Sequence, residues 1–119
     1  MNDPVQEYAK TCIPGYAKKR VEELTNLRKN QIRIVTGLLT GHCKLNKHLH
    51  KMRLVNSDMC RYCYTHEESA AHIMCDCEEL LEYRRKHLGS YITRVTEISQ
   101  LPLANLLKYV EGIGLMSEL

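Results

Sequence analysis

A chain of 119 residues is long enough for one domain and too short to carry a separate catalytic domain, and no stretch approaches the roughly 20 apolar residues of a membrane span. Hydrophobic content is 44%, yet without Trp or Phe the core must be built from Leu, Ile, Val, Met and seven Tyr, a modest supply that small domains commonly supplement with a metal or disulfides. The net charge of +3 divides unevenly: Met1 to His66 holds twelve Lys and Arg against five Asp and Glu, and Glu67 to Leu119 five against nine, which points to a polyanion partner for the basic part or to solvated helix faces of alternating sign.

In chain order, Asp3 as N-cap, Pro4 at the first helical position and Gln6 closing a capping box predict a short opening helix, broken by Pro14-Gly15. Tyr16 to Thr40 then places Ala17, Val21, Leu24, Leu27, Ile34, Val35 and Leu38 at helical spacings with basic residues between them. This predicts the longest helix, weakened at Gly37 and stopped at Gly41. Leu45, Leu49 and Met52 predict a short amphipathic helix over Lys44 to Leu54, followed by a turn at Asn56-Ser57-Asp58. Glu78 to Leu88 reads as a helix with Leu80, Leu81 and Leu88 inward, ended by Gly89. The acidic Glu78, Glu79 and Glu82 are its solvated first turns. A last helix from Leu101 to Glu111 carries Leu103, Leu106, Leu107 and Val110 on one face, with Gly112 as its stop. No segment alternates with period two. The expected architecture is mainly α: a single domain over 1–119, with a helical arm and long basic helix over 1–40, a zinc-binding core over 41–89 and a C-terminal helix over 90–119.

Between the short third helix and the acidic one lies Cys60-Arg61-Tyr62-Cys63, with His72 after eight intervening residues and Cys77 after four more, a C-x2-C-x8-H-x4-C pattern. Met1 to Lys10 lacks the apolar run of a secretory signal, so the chain is expected to be intracellular, nuclear or cytoplasmic, where Cys and His clusters bind metal and do not form disulfides. A two-residue gap lets both sulfurs of a knuckle reach one ion, and thiolates with one imidazole are the donors of a structural zinc site. Residues five apart do not stack on an α-helix, so His72 and Cys77 require a helix end or bend to meet. Cys75 competes with Cys77 for the fourth position. Cys77 is preferred, leaving Cys75 as a small buried apolar residue.

His42, Cys43, His48 and His50 could form a second cluster, but histidines this close on a polar helix read better as surface or capping residues. His66 is a weaker ligand candidate than His72, and Cys12 has no partner pattern. A Cys3His shell leaves no open position for water, and no phosphate loop, nucleophile elbow or paired carboxylates appear, so an enzyme is not expected. The residues placed to meet phosphates are Lys18, Lys19, Arg20, Arg28, Lys29 and Arg33 on the long helix, and Lys44, Lys47, Lys51, Arg53 and Arg61 near the knuckle. Tyr62 and Tyr64 either stack on unpaired bases or pack over the metal site.

The run Leu39-Thr40-Gly41-His42, Leu45, His48-Leu49, Cys60-Arg61-Tyr62-Cys63, Glu67-Glu68-Ser69, His72-Ile73-Met74 and Cys77, with Arg84 downstream, resembles the zinc-binding C-terminal segment of insect non-LTR retrotransposon polyproteins of the Jockey type. There it follows reverse transcriptase and ribonuclease H domains. Leu106-Leu107-Lys108-Tyr109-Val110 and Gly114-Leu115 look like the end of that segment, so the likeness covers Gln31 to Leu115. Cys75, where an apolar residue is more usual, and the free-standing length depart from it. The resemblance implies a zinc-knuckle-like module, here a domesticated stand-alone fragment, that holds nucleic acid or packs against a ribonuclease H fold without polymerase or nuclease chemistry.

Two functions follow from the residues. One is a non-catalytic nucleic-acid-binding module stabilised by one structural zinc. The alternative is a protein-interaction or self-association module, homo-oligomers included, that presents the leucine-rich face of a terminal helix.

Overall fold

The computed structural model describes residues 18–41, 43–90, 94–98 and 100–115. The expected opening helix, the Pro14-Gly15 break, Cys12, Ala17 and His42 lie outside the described residues. So do the side chains of Lys18, Lys19, Arg20 and Val21, although their backbone is helical.

The fold is mainly helical, and its described helices are α1 (Lys18–Thr25), α2 (Lys29–Thr40), α3 (Asn46–Lys51), α4 (Leu81–Leu88), α5 (Val95–Ile98) and α6 (Leu103–Gly112). Ahead of α4 come a π-helical turn, His72–Asp76, and a 3-10 turn, Glu78–Leu80. Among the described residues the only β pairing is an isolated antiparallel bridge between Met59 and Glu67. Among the described residues no helix is long and apolar enough to cross a membrane.

The long helix expected over 16–40 is two helices. Thr25 Oγ1 and Asn26 Nδ2 donate to the Glu22 carbonyl at 2.7 and 3.2 Å, local bonds that compete with the helical ladder and end α1. Arg28 is extended, and its N–H donates to Gln31 Oε1 at 3.0 Å, which restarts the chain as α2. Apolar spacing continues across the break because both helices face one core: Ile34, Val35, Leu38 and Leu39 are buried, with Leu24 and Leu27 packed at its edge.

Helix α6 is the element on which α1, α2 and α4 converge. Leu103, Leu106, Leu107 and Val110 are buried as their spacing predicts, and Tyr109 joins them. Four polar ties fix the helix. The Glu23 carboxylate accepts the Leu103 N–H at 2.7 Å, a negative charge capping a helix N-terminus. Asn105 Nδ2 donates to the His87 carbonyl at 3.1 Å, Tyr109 Oη to the Ile73 carbonyl at 2.5 Å, and Tyr62 Oη to the Ile113 carbonyl at 2.8 Å.

The glycines divide in their roles. Gly41 and Gly89 end α2 and α4 in the left-handed conformation, as predicted. Gly112 is not the stop of α6 but its last residue. A Cβ there would lie 2.9 Å from His87 Nε2, so its bare Cα lets α4 approach, and the left-handed turn falls on Gly114 at φ 85°. The short helix α3 is also tighter than predicted: Leu45 is buried, Leu49 half-buried, and Met52 caps the helix with its side chain exposed. In α4, Leu80 and Leu88 are buried but Leu81 only partly, and the inward position is taken by Arg84 at 1% exposure. Helix α5, which buries Ile98, has no counterpart in the expected elements.

Replacing Tyr109 with Phe leaves a buried Ile73 carbonyl without its hydroxyl donor. The variant is expected to lose about 1 to 3 kcal/mol, a fall of roughly 5 to 10 °C in the unfolding midpoint by circular dichroism. The exposed Tyr83→Phe serves as a control that changes little.

Candidate metal centre

Two ligand pairs arrive from different local structures. Cys60 and Cys63 belong to a knuckle based on the Met59–Glu67 bridge, where the Cys60 N–H donates to the His66 carbonyl at 2.7 Å and the Tyr64 N–H to the Cys60 carbonyl at 3.0 Å. His72 and Cys77 belong to the turn that follows. Ser69 Oγ accepts the His72 N–H at 3.1 Å and so caps a helical start at Ala70-Ala71. The helix then widens, and the Cys77 N–H reaches back to the His72 carbonyl at 2.8 Å. This i→i+5 closure stacks residues five apart, as an α-helix stacks residues four apart, and brings both side chains to one side. The bend that the five-residue spacing requires is a π-turn.

The four donor atoms of Cys60, Cys63, His72 and Cys77 lie within 4.8 Å of one another, and all but Cys63 are buried. The Cys60 and Cys77 sulfurs are 3.8 Å apart, and Cys63 Sγ is 3.4 Å from His72 Nε2. A tetrahedral ion with sulfur at about 2.3 Å and nitrogen at about 2.0 Å has edges of about 3.8 Å between sulfurs and about 3.5 Å between sulfur and nitrogen. The donor set and its spacing fit a metal ion in a closed four-coordinate shell. Cys77 completes the group, while Cys75 is buried in the core. Among the described residues no second cluster of this kind occurs: Cys43 is buried, its thiol pushed up to about 12 by desolvation and the Glu68 carboxylate, while His50 is exposed and His48 partly so. His66 is exposed, its ring 5.4 Å from that of His72, and stands outside the four-atom group.

The thiols differ in their readiness. Burial pushes Cys60 up, and pushes Cys77 up to about 12. For Cys63 desolvation acts upward as well, but hydrogen bonds from the side chains and backbone of Thr65 and His66 outweigh it and hold the thiol at about 5. Cys63 is therefore the most readily ionised of the three thiols, and binding a cation here would displace protons from Cys60 and Cys77.

Sequence reasoning missed the residue that holds the knuckle in place. Glu68 is fully buried, and its carboxylate accepts the Asn46 N–H at 2.8 Å, the Arg61 N–H at 2.7 Å and the Arg61 guanidinium at 2.8 to 3.1 Å. One side chain thus caps α3, for which Leu45 at the N-cap position supplies no side-chain bond, and locks the backbone between the two knuckle cysteines. Asn46 Nδ2 adds a bond to the Met59 carbonyl at 2.7 Å. The signal in the sequence was its place in the Glu67-Glu68-Ser69 run between the two ligand pairs. On the other side of the site, burial raises the Tyr109 hydroxyl, opposed by a hydrogen bond from the buried Arg84; Cys77 and Cys75 act on it electrostatically.

The residues picked for phosphate contact are distributed unevenly. Arg28, Lys29, Arg33, Lys44, Lys51 and Arg53 are exposed. Lys47 is partly exposed and pairs with Glu67 at 3.3 Å. Arg61 is a quarter exposed and its guanidinium is held by Glu68. Tyr62 packs beside the site through its bond to Ile113, whereas Tyr64 projects outward.

Comparison of the chain with protein-family models, curated proteins and solved structures finds no match.

Two outcomes test this geometry. Because the Cys60 and Cys77 thiols sit above neutrality, metal uptake displaces their protons, so the logarithm of affinity should rise by about two per pH unit between pH 7 and 8 in competition titrations. A slope near zero would mean preformed thiolates. In Glu68→Gln an amide nitrogen replaces an acceptor oxygen facing N–H donors, at a cost of about 2 to 4 kcal/mol, read as a lowered unfolding midpoint and weaker metal retention.

Proposed function

We propose that the chain is a zinc-stabilised, non-catalytic module that binds nucleic acid. The observation that carries this is a four-ligand shell closed by protein donors and flanked by exposed basic side chains on α2 and α3. Three thiolates and one imidazole favour zinc among the abundant divalent ions, and a saturated tetrahedron leaves no position from which the ion could activate water. The metal's contribution is then structural. Its binding free energy becomes folding free energy for a chain with few large apolar anchors.

The basic side chains supply the second half of the proposal. Lys29 and Arg33 stand on α2, with Arg28 at its N-cap, while its apolar residues face the core, and Lys51 ends the short helix tied to the knuckle, with Lys44 and Arg53 flanking it. Phosphate is the ligand for such a surface. Descent from a non-LTR element's polyprotein belongs to the same proposal and rests on the residue pattern alone. The leucine-rich faces that would have served a partner helix are turned inward, with Leu103, Leu106, Leu107 and Val110 buried, which weighs against the protein-interaction alternative.

The test joins metal and ligand. Native mass spectrometry of the purified chain should find one zinc, and a strong chelator should abolish its helical circular dichroism. Binding of labelled DNA or RNA should weaken about hundredfold between 50 and 200 mM salt if about four phosphates are engaged. Charge reversal at Arg28, Lys29 and Arg33 should weaken binding further. A metal-free folded chain, or an affinity indifferent to salt, would remove the proposal.

A further inference from the structure

Among the described residues only two that are not glycine have positive φ: Arg53 at 61° and Tyr64 at 57°. Each occupies a place where glycine would be unstrained. Arg53 follows the cap of α3, with its N–H bonded to the His50 carbonyl at 3.0 Å and the Leu54 N–H to the Leu49 carbonyl at 2.9 Å, the Schellman pattern in which glycine is the usual residue. Tyr64 ends the knuckle turn, its N–H bonded to the Cys60 carbonyl. A bulky side chain in this conformation is held at a cost that glycine avoids.

Packing does not offset that cost. Tyr64 is 72% exposed, the most exposed of the large apolar side chains among the described residues, and Arg53 is exposed between Met52 and Leu54, themselves 54% and 64% exposed. The elements that carry the two sites are tied together by hydrogen bonds. Asn46 and Glu68 tie the start of α3 to the knuckle, and α3 carries the chain to Arg53 within about 10 Å. Lys47 and Lys51 lie on α3, and Lys44 just before it. An exposed tyrosine together with exposed cations on linked elements is the composition used to bind unpaired nucleotides: ring faces stack on bases and cations follow the phosphates.

We infer that Tyr64 stacks on an unpaired base while the exposed cations of α3 and its flanks, Lys51 and Arg53 among them, hold phosphates of the same strand, so that the nucleic acid recognised is single-stranded. In a duplex the faces of the bases are taken by their neighbours, and a single protruding tyrosine has nothing to stack on. This rests on the nucleic-acid reading and narrows it. It also divides the two knuckle tyrosines, since the Tyr62 hydroxyl is committed to Ile113.

The experiment compares zinc-loaded parent, Tyr64→Gly, Tyr64→Phe and Arg53→Gly by fluorescence anisotropy on labelled oligo(dT), oligo(rU) and a duplex, at one salt concentration. Expected are tighter binding to the single strands than to the duplex, a loss of about tenfold in Tyr64→Gly, and retention in Tyr64→Phe. The two homopolymers show whether DNA or RNA is preferred. Because glycine relieves strain, Tyr64→Gly should unfold at the same temperature as the parent or higher and hold zinc as tightly. A lower midpoint would place Tyr64 in a structural role and overturn the inference. Unchanged single-strand affinity in Tyr64→Gly would overturn it while leaving the broader function standing, since the parent still binds. A parent that binds none of the three ligands would remove both.

Discussion

Four donor atoms have to meet at one point although the chain offers them as two pairs from unlike local structures. Everything near the site follows from that requirement. The knuckle pair is close in sequence and needs only a turn whose backbone is held, and the buried Glu68 carboxylate holds it by accepting N–H groups from both Arg61 and Asn46. The second pair is spaced for neither an α-helix nor a strand, and a widened turn reconciles the spacing. A π-turn disturbs the regular backbone ladder, and the Tyr109 hydroxyl accounts for one carbonyl within it, that of Ile73. The same helix that presents Tyr109 is bonded to the knuckle through Tyr62. Donor cluster, turn and last helix therefore form one connected polar framework inside a core that lacks Phe and Trp.

The burial of Glu68 and Arg84 belongs to this picture. Charged groups this deep are costly unless satisfied, and Glu68 is satisfied by backbone and side-chain donors at once. Such a network specifies a geometry more than it adds stability. A knuckle made only of apolar contacts could slide, whereas one keyed to directed hydrogen bonds has a single register.

Much of this was legible in the residues and some was not. The four clustered donors could be read directly, because Cys and His at these spacings have few other uses, and the preference for Cys77 over Cys75 agrees with the cluster. The helical class followed from periodicity. Yet periodicity concealed the break between α1 and α2, since both helices turn apolar residues to the same core. The signals were Thr25, Asn26 and Gln31, residues whose side chains compete with or restart a backbone ladder. Glu68 was illegible as a buried residue because its partner Asn46 lies 22 positions away, beyond any local pattern. Met52 looked inward by spacing and faces outward because α3 stops at Lys51. Gly112 was taken as punctuation and is instead a gap through which two helices touch. Basic residues could be named from sequence, but only the fold separates Arg61, held by a carboxylate, from Arg53 in open solvent.

The widened turn at His72 has an implication for how such modules diverge. Removing one residue between His72 and Cys77 would leave the ligands four apart, and an ordinary α-helix stacks those as well as the present turn stacks five. The two spacings are neighbouring solutions, separated by a single deletion and by the loss of work for one tyrosine hydroxyl. In a lineage carrying the shorter form, the position of Tyr109 should be free to drift to phenylalanine or leucine, so ligand interval and the identity of a residue more than thirty positions downstream would change together.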